Sequence, residues 1–216
     1  MRRNDRRYFI GGILIGLTGA ICFSTKAIFV KLAYRDTGIE AVPLLALRMI
    51  FALPFFVISA LISSGKSSNV RFTPGQWLAV ALLGFLGYYI SSLLDFVGLQ
   101  YVSAGIERLI LFIYPTLVLI ISSLVFKASI QRYQWLAVAI TYLGLSLALF
   151  GEINFDSASK ERFYYGASAI FGCAVTYAAY LVGSGRIIPV VGASKFNSYA
   201  MTFACVAVLI HFSVTS

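Results

Sequence analysis

Residues 103–126 read S-A-G-I-E-R-L-I-L-F-I-Y-P-T-L-V-L-I-I-S-S-L-V-F. After Glu107 and Arg108 the stretch carries no further charge. Its length matches the roughly 20 mostly apolar residues that a helix needs to cross a bilayer. It does not alternate with period two, as a barrel strand would, and a helix satisfies its own backbone polar groups in lipid. The stretch therefore predicts a transmembrane helix.

Six further stretches have the same character: Phe9–Ala33, Ala41–Ser63, Gln76–Leu99, Tyr133–Phe150, Tyr164–Gly183 and Phe196–Val214. The expected fold is thus all-α, a polytopic transmembrane helix bundle of about seven spans. Composition agrees, with 60% hydrophobic and 12% charged residues and a mean hydropathy of +0.88. A soluble domain carries about a quarter charged residues, and it could not hide so much apolar surface from water.

The net charge of +9 would suggest nucleic acid in a soluble protein. Here the charges sit between apolar runs and follow the positive-inside rule instead. With a cytoplasmic N-terminus, the cytoplasmic segments hold ten basic residues, four of them Arg2, Arg3, Arg6 and Arg7, and one acid, Asp5. The opposite segments hold Arg35, Lys160 and Arg162 against Asp36, Glu40, Glu152, Asp156 and Glu161. The arginine-rich start is not expected to be a cleaved signal, because no A-x-A-like site closes the first apolar run. Trp77 and Trp135 open the third and fifth spans at the cytoplasmic interface.

Two internal similarities bear on organisation. Gln76–Ala81 and Gln134–Ala139 are both Q-W-L-A-V-A, and Gly16–Cys22 aligns loosely with Gly166–Gly172. The second pair lies five spans apart, so the later copy would be inverted, a common plan among secondary transporters.

The chain resembles the drug/metabolite transporter superfamily, EamA type. The resemblance is carried by Gly16–Lys31, by Gly84–Tyr101 (G-F-L-G-Y-Y-I-S-S-L-L-D-F-V-G-L-Q-Y) and by Tyr101–Leu119, where small residues precede Glu107-Arg108 and the intrahelical Tyr114-Pro115. It implies a first five-helix repeat over residues 9–150 and the start of a second over 164–216. Complete members of the family are built from ten spans, so the second repeat is expected to be incomplete. The implied function is secondary transport of a small metabolite or drug-like solute across the bacterial cytoplasmic membrane. The alternative is a non-transporting accessory protein or an inactive remnant.

Charged residues inside spans are costly, at about 2.5–3.5 kcal/mol each at the bilayer centre on insertion scales, so they point to function. Lys26, Arg48, Asp95, Glu107 and Arg108 all fall roughly 6–12 Å in from the extracytoplasmic face at 1.5 Å per residue. Lys26, Arg48 and Glu107, with Tyr114, are the candidate substrate-binding residues. Asp95 and Arg108 flank the turn between spans three and four and are expected to pair. Pro115 removes a helical hydrogen bond and is a candidate hinge; Pro54 predicts a kink in span two. Gly12, Gly16, Gly84 and Gly87 are expected at close helix contacts. His211 is expected near an interface.

Cys22, Cys173 and Cys205 lie in apolar runs without C-x-x-C spacing, which predicts inert thiols rather than a metal site or disulfide. No H-E-x-x-H, G-x-S-x-G, Walker A or G-x-G-x-x-G motif occurs, so no enzyme activity and no cofactor are expected. Without a nucleotide site, uphill transport would draw on a proton or other ion gradient. The expected partners are the lipid bilayer and a small-molecule substrate, with a homodimer left open and nucleic acid excluded.

Overall fold

The computed structural model of the protein describes residues 3–65, 71–127, 129–149 and 160–215. Arg2, Lys66, Phe150, Glu152, Asp156 and Ser216, all used in the sequence reading, lie outside them. The described chain runs α1 (Arg3–Thr37), α2 (Ala41–Gly65), α3 (Pro74–Gly84), a π-helical segment (Phe85–Ile90), α4 (Ser91–Tyr101), α5 (Ala104–Leu111), α6 (Tyr114–Phe126), α7 (Arg132–Leu149), α8 (Lys160–Val191) and α9 (Ala193–Thr215). This is the polytopic helical bundle that the apolar runs require.

The helix boundaries follow local chemistry. Thr73 caps α3 through a reciprocal box with Gln76, which satisfies two otherwise orphaned backbone donors. Ser103 accepts from Ile106 N at the start of α5. Gly38 ends α1 at φ 66°, returning its N–H to Tyr34 O at 3.1 Å, and glycine adopts that left-handed conformation without steric cost. Pro115 lies in the first turn of α6. The break at Phe112–Ile113 ahead of it is the expected result of a proline that cannot donate to the preceding turn.

Six helical stretches are long and apolar enough to cross a membrane, among the described residues: Phe9–Thr37, Ala41–Gly65, Pro74–Tyr101, Ala104–Phe126, Lys160–Val191 and Ala193–Thr215. The expected count of seven is corrected to six on this criterion. The stretch that drops out, expected at Tyr133–Phe150, is helical as α7, but its first turn holds Arg132, Tyr133 and Gln134, and 18 residues reach only roughly 27 Å. Its placement is still informative. Arg186 stacks over the Phe126 ring at 4.2 Å, so the end of α6 is level with the end of α8. Tyr101 and Tyr165 meet at 5.1 Å, so the start of α8 is level with the end of α4. Between Phe126 and Lys160 the chain must pass from one face of the bundle to the other, and α7 lies in that interval. Reporters fused after Arg132 and after Ser159 should therefore give opposite signals. With the N-terminus in the cytoplasm, as the charge asymmetry predicts, one that fluoresces only there should be bright after Arg132 and dark after Ser159. Equal brightness at the two sites would show that α7 does not cross.

α8 runs through the centre of the bundle against α4, α5 and α6, while α9 packs on α2, α3 and the π segment. Small residues permit the close crossings. A Cβ at Gly166 would stand 2.7 Å from Tyr101 Cβ, and one at Gly98 would collide with Ile170. Gly84 and Gly87 are likewise at tight contacts, whereas Gly12 and Gly16 have nothing within 4 Å. That corrects the expectation for the latter pair, which lies on the exposed first half of α1. Hydroxyl contacts join α2 to α9, with Ser59 and Ser198 at 2.7 Å, Ser63 and Ser194 at 3.2 Å, and Ser64 and Tyr199 at 2.8 Å. Such interhelical bonds contribute about 0.6 kcal/mol each on average in a membrane.

Candidate functional site

The π segment is the local feature from which the site is built. It inserts an extra residue into the third span, a device frequent at functional sites. The wide turn carries Gly87 and Tyr88, and Ser91, Ser92 and Asp95 follow on α4; all five line one cavity. Ser91 Oγ donates to Gly87 O. Phe23 and Lys26 from α1, Arg48 from α2, Leu111 from α5, and Cys173 and Tyr177 from α8 complete the wall. The cavity measures about 110 Å³. A second hollow of about 240 Å³ shares Phe23, Leu111 and Tyr177 with it and extends to Arg108 and Tyr114.

The charges are partnered differently from the sequence expectation. Asp95, 1% exposed, forms its ion pair with Lys26, not with Arg108. The guanidinium of Arg108 instead turns toward α1, where Nη2 donates to Phe23 O at 3.0 Å, with Ser24 O at 3.5 Å, and it stacks over the Phe23 ring at 5.1 Å. Its Nε stands 3.2 Å from Glu107 Oε2. Asp95 and Arg108 flank the turn as expected, but proximity in sequence did not fix their azimuth, and the expected pair is not formed.

Lys26 and Arg48 line one cavity. Glu107 does not line it. Its side chain is fully buried at the start of α5, close enough to Asp95 for the two carboxyl groups to share a hydrogen bond. Tyr114 lines the adjoining hollow and meets Tyr177 edge-on at 5.3 Å. Pro115 faces a separate apolar crevice of about 480 Å³ between α6 and α7, where Thr116 and Tyr142 bond at 2.9 Å. Toward the other face, Tyr88 bonds both Tyr180 at 2.7 Å and Asn197 at 2.6 Å, forming a polar aromatic floor. His211 bonds Tyr89 at 2.9 Å. Cys173 and Cys205 are buried, and Cys22 is exposed.

Two features of the site escaped the sequence reading. Tyr88, Ser91, Ser92 and Asp95 form one face, and their spacing of three, four and seven residues could have indicated it. Lys31 and Tyr34 anchor α1 to the end of α4 by donating to Leu99 O at 2.9 Å and Phe96 O at 2.8 Å. Nothing in their types distinguishes such anchors from interfacial side chains.

Comparison with known proteins agrees with this architecture. The EamA-like transporter family matches residues 10–150. The "Uncharacterized transporter YcbK" of Bacillus subtilis (strain 168) is 31% identical over 205 residues, covering 95% of this chain and 64% of that protein. The "Uncharacterized transporter YdfC" of the same organism is 28% identical over 132 residues, covering 61% of this chain and 42% of that protein. The chain thus spans 64% of the length of the first of these relatives. No solved structure matches it significantly. The family match over residues 10–150, on a bundle of apolar helices enclosing a charged cavity, establishes that the chain is a multi-pass membrane protein belonging to the EamA-like transporter family.

Proposed function

We propose that this chain forms the solute-binding part of a secondary transporter for a small anionic metabolite, with Arg48 as the anchor for the anionic group. The observation that carries the reading is the state of Arg48. It lines the cavity and stands over the Phe96 ring at 5.8 Å, yet it has no hydrogen bond or ion pair among the described residues. A guanidinium inside a membrane is costly without a partner, and its planar fork suits a carboxylate or phosphate. Lys26, already neutralised by Asp95, adds a donor at the same wall, and Tyr177 and Ser92 offer hydroxyls. The host membrane is the cytoplasmic membrane with the N-terminus inside, a reading that rests on the charge asymmetry of the connecting segments.

Uptake of a panel of carboxylates, phosphate esters, amines and neutral solutes into proteoliposomes tests this. Losing a hydrogen bond to a charged group costs about 1.5–3 kcal/mol, so Arg48→Ala should weaken uptake of the anionic solute by roughly 10- to 100-fold, with membrane level retained. Arg48→Lys should recover part of the loss. Lys31→Ala, at a residue that donates to the Leu99 carbonyl outside the charged cavity, should stay close to wild type. Uptake restricted to amines, or an unchanged Arg48→Ala, would end this reading.

A further inference from the structure

We infer that Glu107 and Asp95 together form a proton-binding site behind the cavity, with the proton on Glu107 and shared with Asp95. The inference rests on the transporter reading and names its coupling ion.

Both carboxyl groups are removed from water, Glu107 at 0% and Asp95 at 1% exposure. Neither Oε1 nor Oε2 of Glu107, nor Oδ1 of Asp95, receives a hydrogen bond. The two groups are nonetheless within hydrogen-bonding reach of one another. Two carboxylates facing each other without a donor repel, and a single proton between them turns that repulsion into a hydrogen bond.

The surrounding charges decide where the proton sits. Lys26 from α1 pairs with Asp95 Oδ2 and holds Asp95 as the carboxylate. Arg108, next to Glu107 on α5, forms an ion pair with it through Nε at 3.2 Å but no hydrogen bond, and its Nη2 is committed to Phe23 O and Ser24 O. From α2, Arg48 interacts electrostatically with Asp95. From α1, the Tyr34 hydroxyl does the same, although it donates to the Phe96 carbonyl. From α8, Cys173 lines the same cavity as Lys26 and Asp95. None of these donates to Glu107, so Glu107 is the group left to carry the proton.

The charge balance links proton to solute. With both carboxylates ionised, Lys26, Arg48, Arg108, Asp95 and Glu107 sum to +1. One proton on Glu107 raises the sum to +2. The protonated site holds an anion more tightly, and by linkage the anion holds the proton more tightly. A proton taken up through the cavity with the anion, and released with it on the other side, constitutes symport.

Infrared difference spectroscopy of the full chain in lipid nanodiscs reads the proton without any solute. Only two of the chain's eight acidic residues, Asp95 and Glu107, lie within the apolar stretches of the sequence, so a carboxylic-acid C=O band persisting at neutral pH has two candidate sources. The expected result is one such band that shifts to lower frequency on H/D exchange, is lost in Glu107→Gln, and is displaced in frequency in Asp95→Asn, where the hydrogen-bonding partner changes. No such band in the wild type between mildly acid and mildly alkaline pH would overturn the site, whatever uptake shows. A band that persists unchanged in both variants would overturn it equally. A band that behaves as expected in a chain with no measurable uptake would support the proton site while telling against the transporter reading.

Discussion

Lys26→Ala is expected to destabilise the folded chain by about 3–5 kcal/mol, the usual cost of removing one partner from a buried ion pair. Asp95 is almost fully buried, and among the described residues the one cation in ion-pair contact with it is Lys26. Without it Asp95 must either remain charged in a medium that solvates charge poorly or take up a proton, and both states lie above the paired one. Replacing the pair together behaves differently. Lys26→Met with Asp95→Leu keeps the volume and removes both charges, and such exchanges are often neutral or stabilising. The double variant should therefore return to within about 1–2 kcal/mol of wild type, while its cavity loses the Lys26 donor and uptake stays low. Reversible unfolding in mixed micelles measures both quantities. A double-mutant cycle over Lys26 and Asp95 should show strong coupling, and one over Asp95 and Arg108 a weaker one. Additive losses for Lys26 and Asp95 would show that the pair contributes nothing.

The contrast between the two cycles shows what the sequence could and could not carry. The membrane fold was legible because the bilayer imposes a length on every span, and the apolar runs at residues 41–63 and 103–126 have it. Depth was legible too, since rise per residue is nearly constant in a helix, and it placed Lys26, Arg48 and Asp95 in one layer. Azimuth was not. The π segment at Phe85–Ile90 adds a residue to its turn and rotates everything after it by about 100° relative to an uninterrupted helix. Which residues of α3 share the face of Asp95 therefore cannot be read from a 3.6-residue period running through the third span. Helix ends were blurred for another reason. The sixth span was expected to stop at Gly183, but α8 continues through Arg186 and Pro189 to Val191, with Arg186 stacked on Phe126. Continuing the helix satisfies backbone groups internally near the lipid, and a basic side chain at the boundary does not oppose it.

Gly84→Leu is expected to abolish recovery of folded protein. Gly84 sits where α3 crosses α9, and a Cβ there would stand 2.9 Å from both Ala200 C and Ala200 Cα, with the Ala200 carbonyl oxygen closer still. The obstacle is backbone, so no rotamer change relieves it, and α9 would have to move as a body. That movement would disturb the hydroxyl contacts between α2 and α9 and the buried cluster of Val80, Tyr180, Val191, Phe196 and Ala200. Even Gly84→Ala should cost about 1–3 kcal/mol, the usual range for overpacking a tight contact. Gly87 is a graded case. Its Cβ would meet the Tyr180 ring and, at 2.6 Å, Tyr180 Cβ; the ring can swing but Cβ cannot, so α8 must also shift, which disturbs the bonds through which Tyr88 joins Tyr180 and Asn197. Gly87→Ala should thus lower the yield as well as perturb the floor of the cavity and the uptake rate. Gly16→Leu should be tolerated, because nothing lies within 4 Å of that position and an added apolar side chain suits lipid. The yield of monodisperse protein after detergent extraction ranks the four variants. A Gly84→Leu protein that extracts like wild type would mean that α3 and α9 do not cross at the distance described.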